Sequence, residues 1–140
     1  MSFEISLVQW PADPEATAKL VVSCLLSAMQ RLDAQLGVPV DESLELASRF
    51  VRGEATDLEV ENVRASLWDF IHSRNGLVNF QDRDLLLARL ALCLLPPGDT
   101  DRANLEEKLA FFLEVLQRLK LPIDGALAAI IEQLTPYLPT

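Results

Sequence analysis

Residues Asp82 to Leu95 read Asp-Arg-Asp-Leu-Leu-Leu-Ala-Arg-Leu-Ala-Leu-Cys-Leu-Leu, and Pro96-Pro97-Gly98 follows at once. From Leu85 on, leucine or alanine fills nearly every position, so a helix here has no polar face. Such a helix has to be enclosed by other elements. It is too short to cross a bilayer, which takes roughly 20 apolar residues. The stretch predicts an all-α, single-domain bundle of about six helices around a buried central helix over 82–95. A chain of 140 residues, 50% of them hydrophobic, can supply that enclosure within one domain.

The flanking segments carry the periodicity of the enclosing helices. Residues 3–10 alternate, with Phe3, Ile5 and Leu7 on one side and Glu4, Ser6 and Val8 on the other. Alternation is a strand signal, but no second segment looks like its partner. Residues 1–12 are expected to form an extended arm on the helices, and residues 13–140 the bundle. Asp13-Pro14-Glu15 is a helix start, with a capping acid followed by proline at the first helical position. That helix is expected to end at Gly37, with Pro39 preventing its resumption and Asp41-Glu42 opening the next. Leu44, Leu46, Ala47, Phe50 and Val51 should point inward, and Gly53 should end this second helix. Thr56-x-x-Glu59 matches a capping box. It opens a third helix with Val60, Val63, Leu67, Phe70 and Ile71 inward and Asn75-Gly76 as its terminator. Leu77-Val78-Asn79-Phe80 reads as an apolar connector, and Asn79 or Gln81-Asp82 as the next cap. Asp99 or Thr100 should cap a fifth helix reaching about Lys120, with Leu105, Leu109, Phe112, Leu116 and Leu119 as its seam. A sixth helix should bury Ile123, Leu127, Ile130, Ile131 and Leu134.

Much reactive chemistry has no place in this pattern. His72 is the one histidine, so a histidine-based metal site fails, and no metal or cofactor is expected. There is no glycine-rich phosphate loop, no Gly-x-Ser-x-Gly and no Cys-x-x-Cys. Cys24 and Cys93 lie in apolar runs, where burial raises a thiol pKa. The expectation is a protein without catalytic groups. Arg89 stands alone among leucines, so it should be a structural buried charge held by a carboxylate, with Glu61 or Asp69 as its partner. A different role for it would be lining a pocket for an anionic ligand together with His72.

The net charge of −9 disfavours nucleic acid and anionic membrane surfaces, and it favours a basic protein partner. The acids are concentrated: Asp41 to Asp69 holds eight against three arginines. Asp41, Glu42, Asp57 and Glu59 suit helix starts. Glu45, Glu54, Asp57, Glu59, Glu61 and Asp69 would form an acidic partner-binding surface, with Trp68 and His72 at its edge. The start Met1-Ser2-Phe3-Glu4-Ile5 does not resemble a secretory leader, which suggests a cytoplasmic protein. These features fit an inhibitor that covers a basic enzyme or toxin, as bacterial immunity proteins do; that likeness is one of size and charge alone. An adaptor or chaperone holding a partner segment in an apolar groove is the other reading. Phe3, Trp10, Trp68, Phe80 and Tyr137 would then form the groove, and self-association is compatible with either.

Overall fold

The structure, a computed structural model, describes residues 5–74 and 81–139. Six α-helices run in chain order: α1 Pro14–Leu32, α2 Val38–Val51, α3 Asp57–Ser73, α4 Arg83–Leu94, α5 Arg102–Arg118 and α6 Asp124–Leu134. Single 3-10 turns lie at Ile5–Leu7 and Thr135–Tyr137, and the described residues contain no strand. The expected connector 77–80, the terminator Asn75-Gly76, the Asn79 cap, Phe3 and Phe80 lie outside the described residues.

Helix starts follow local chemistry. Asp13 accepts a hydrogen bond from the Ala16 N–H at 3.2 Å, with Pro14 in the first turn. At α3 the box is complete: Thr56 Oγ1 accepts from the Glu59 N–H at 3.1 Å, and Glu59 Oε1 accepts from the Thr56 N–H at 3.1 Å. Asp82 caps α4 by accepting from the Leu85 N–H at 3.1 Å. Each bond satisfies one of the donors that a helix start leaves without an intrahelical partner.

Three boundaries differ from the sequence reading. Helix α1 stops at Leu32, because Asp33 takes a left-handed conformation at φ 48°. Aspartate tolerates that region better than most residues. The early stop lets Leu36 fold back into the core. Gly37, at φ 100°, then serves as the N-cap of α2, and Pro39 sits in the first turn of α2. A proline there costs nothing, since its missing N–H would have had no partner. Helix α5 starts after Asp101, while Asp99 accepts from the Asp101 N–H at 2.9 Å in the preceding turn.

The N-terminal segment is a turn and not a strand. Leu7 is 53% exposed, whereas Val8 is fully buried. The 3-10 turn breaks the alternation and swings Val8 inward. The Gln9 N–H donates to the Tyr137 carbonyl at 2.7 Å, fastening the start of the chain to its end. Thr17 is buried, and its hydroxyl donates towards the carbonyls of Pro11 at 2.7 Å and Asp13 at 3.1 Å.

Nine of the twelve residues of α4 are buried. All of them but Arg89 divide between two apolar clusters. Leu86, Leu87, Leu90, Cys93 and Leu94 join α1, α5 and α6 in the larger one. Leu85, Ala88, Ala91 and Leu95, which follows the helix, join Leu46 of α2 and Val60, Leu67 and Ile71 of α3 in the smaller one. The expected seam of α5 is buried throughout. On α6 the buried face is Ala126, Ala129, Ile130 and Leu134, while Leu127 is exposed. Alanines on that face let α6 lie close against α1, its main partner. Arg31 of α1 also pairs with Glu132 of α6. No helix among the described residues is long and apolar enough to cross a membrane.

Helix α2 lies close against α4 through a stripe that includes the small residues Ser43 and Ala47. The Ser43 hydroxyl is fully buried and has no hydrogen-bond partner among the described residues. Leaving a buried donor unsatisfied costs on the order of 1–3 kcal/mol. Alanine also fits a helix interior better than serine. The Ser43→Ala protein should therefore be more stable than the wild type by about 1 kcal/mol. Urea denaturation measures this as a higher midpoint at unchanged slope, and a lower midpoint would mean the hydroxyl is bonded after all.

Candidate functional site

Helices α2 and α3 are joined by the short turn 52–56. Both pack on α4, but they touch each other little. Near the turn they are bridged: Arg49 Nη2 lies 2.8 Å from Glu59 Oε2. The Arg49 hydrogen bond is the chief reason the Glu59 carboxyl is held below its ordinary pKa, with the Thr56 N–H adding to it. The same bond from Glu59 raises the Arg49 guanidinium above its ordinary value. Away from this bridge a trench opens between α2 and α3.

Its narrow part is a cavity of about 350 Å³ lined by Glu42, Glu45 and Arg49 on one wall and Glu59, Asn62 and Val63 on the other. Its wide part is a cavity of about 690 Å³ that shares Glu42, Asn62 and Val63 with the first. Here the walls are Leu36, Val38 and Pro39 against Ser66, Leu67 and Phe70, and the floor is Leu87 and Ala88 of α4. Val38 is 67% exposed at the lip. At the far end Arg74 lies 4.8 Å from the centre of the Phe70 ring and 3.7 Å from the Asp84 carboxylate. An arginine–carboxylate pair thus closes each end. Glu42 and Glu45, between them, are exposed and form no ion pair among the described residues.

Of the eight residues expected to make one binding surface, two line the trench. Glu45 and Glu59 lie on the trench walls. Glu54 pairs with Arg52 at 3.0 Å in the turn. Asp57 and Glu61 line a different cavity of about 360 Å³, together with Arg64 and Pro96. Glu61 is paired with Arg64, which also donates to the Pro96 carbonyl at 2.6 Å and so ties α3 to the loop after α4. Trp68 and His72 form a ring pair 5.9 Å apart and line no part of the trench. Asp69 is exposed and also lies outside it. Three of the acids, Glu54, Glu59 and Glu61, are therefore partly neutralised by arginines within the chain.

Arg89 is buried, and desolvation lowers its pKa. Of the two acids expected to hold it, Glu61 pairs with Arg64 and Asp69 is exposed. It lines neither part of the trench. Both cysteines are free, and burial pushes Cys24 up to about 12 and Cys93 up to about 11. Trp10 and Tyr137 are partly buried and pack against the larger core cluster.

The sequence reading assigned Val63, Leu67 and Phe70 to the core and Glu42 to a helix start. Their place beside a trench depends on how far α2 stands from α3, which periodicity does not express. Comparison with protein-family models, with curated proteins and with solved structures gave no match.

Lys108 was not singled out by the sequence either. Desolvation lowers its pKa from 10.5 to about 8, opposed by the nearby Cys93 and assisted by the Arg64 charge. In the folded chain Lys108 gives up its proton near pH 8, while the unfolded chain keeps it to about 10.5. The folded state bears the cost of this charge in full below pH 8, and the cost is relieved as pH rises through that window. Lys108→Met should raise the melting temperature at pH 7, and its advantage should shrink between about pH 8 and 10. Parallel melts of the two proteins across that range check it; an advantage that does not change with pH would contradict the shift.

Proposed function

We propose that this chain is a stoichiometric binding protein of the inhibitor or immunity kind. In this reading the bundle is organised around α4, and its α2–α3 side covers a basic partner protein such as an enzyme or toxin. The observation that carries the reading is the position of Glu42 and Glu45. They stand exposed and without ion pairs among the described residues, at the edge of an apolar trench, on a chain of net charge −9. Negative charge beside exposed apolar surface suits protein recognition, since the charge steers the encounter and the apolar area supplies the affinity.

The trench also lends support to the adaptor reading, in which an apolar groove holds a partner segment. The two readings differ in how far charge governs the encounter. An enzyme or small-ligand pocket built on Arg89 and His72 draws no support from the geometry. Arg89 is buried and lines neither part of the trench, and His72 is an exposed residue whose ring is tilted against that of Trp68.

Affinity capture from the source cells with wild type and with the Glu42→Lys/Glu45→Lys double variant tests the proposal, followed by titration of the purified partner. A basic partner should be bound one to one, with its activity falling in proportion. The double variant should bind it at least 10-fold more weakly in low salt, with the gap narrowing as ionic strength passes about 0.15 M and the Debye length falls below about 8 Å. A partner that is acidic, or one that binds wild type and variant equally in low salt, would contradict the reading.

A further inference from the structure

We infer that the α2–α3 trench is the seat for one basic amphipathic helix of a partner protein, with apolar residues of that helix in the wide cavity and its cations along Glu42 and Glu45. The inference rests on the binding-protein reading above and specifies what is bound and where.

Dimensions and chemistry lead to it. From Glu59 to Arg74, the residue that follows α3, the wall spans fifteen residue steps, or roughly 22 Å at 1.5 Å per residue. That is enough for about four turns of a bound helix. The wide cavity, at about 690 Å³, is faced by Leu36, Val38, Leu67, Phe70 and Leu87. Anchors spaced three and four residues apart on one face of a helix would enter it side by side. The walls are themselves helices, so they offer no sheet edge to an extended peptide. Such a peptide would leave its N–H and C=O groups against an apolar floor, where Asn62 and Ser66 supply few partners. A helix satisfies those groups internally.

Charge selects the sign of the occupant. Arg49 and Arg74 are already engaged by Glu59 and Asp84. What remains on the walls is negative, namely Glu42 and Glu45. A second copy of this chain fits poorly, because it would bring its own charge of −9 against those carboxylates.

A fluorescent synthetic helix tests the inference directly. The probe carries leucines at positions i, i+3, i+4 and i+7, with lysines on the flanks. Its controls are a scrambled peptide of the same composition and a version with glutamate for lysine. Fluorescence anisotropy with the whole protein should show binding of the probe and at least 10-fold weaker binding of each control. Ser66→Trp places bulk in the trench from an exposed wall position, and circular dichroism checks that it folds. It should weaken probe binding at least 10-fold in both low and high salt. Glu42→Lys/Glu45→Lys should weaken it mainly in low salt. No binding by wild type would overturn the inference. So would equal binding of the scrambled or acidic peptide, or a Ser66→Trp protein that binds normally. Self-association in sedimentation that Ser66→Trp abolishes would make a second copy the occupant and overturn it too. If Ser66→Trp keeps its natural basic partner while the double lysine variant loses it, the binding-protein reading stands and the trench is not its seat.

Discussion

Helix α4 buries nine of its twelve residues, and it does so on two sides at once. One side closes the cluster shared with α1, α5 and α6, and the other closes the cluster shared with α2 and α3. Each fully buried leucine contributes about 1.5–3 kcal/mol, while a whole domain is stable by only about 5–15 kcal/mol. Exposing either side of α4 would therefore remove a large part of the margin. Flanking helices have to cover both sides.

The trench follows from that demand. Helices α2 and α3 are drawn onto α4 and not onto each other, and one ion pair, Arg49–Glu59, bridges them near their turn. Where they part, Leu87 and Ala88 are left as a floor, at the line where the two clusters meet. A packing compromise thus becomes an apolar surface, and the acids on α2 give it a sign. The same fold disperses other acids into internal pairs, Glu54 with Arg52 and Glu61 with Arg64. Local charge density is lower than the sequence count implies, and of the acids without an ion pair among the described residues Glu42 and Glu45 lie beside the trench.

The sequence disclosed what depends on near neighbours. The caps at Asp13, Thr56–Glu59 and Asp82 were readable because each is a contact across three residues. The burial of α4 was readable because it has no polar face to present. What could not be read depends on residues far apart in the chain. Asp33 ends α1 early because Leu36 has somewhere to go, and Val8 replaces Leu7 in the core because the segment turns to meet Tyr137. Of the surface expected for binding, Glu45 and Glu59 are on the trench, and Glu54, Asp57, Glu61, Trp68, Asp69 and His72 are elsewhere. Helical spacing shows which residues share a face. It does not show whether the facing helix is near enough to cover them, and the trench is set by that distance.

The account depends on α4 coupling both halves of the core into one cooperative unit. Native-state hydrogen exchange under increasing denaturant measures this most directly. The amides of α4 should be the last to exchange, and protection in the cores of α1 and α3 should converge on the same global opening. An α2–α3 unit that opens fully while α1, α5 and α6 stay protected, with α4 intact, would contradict it.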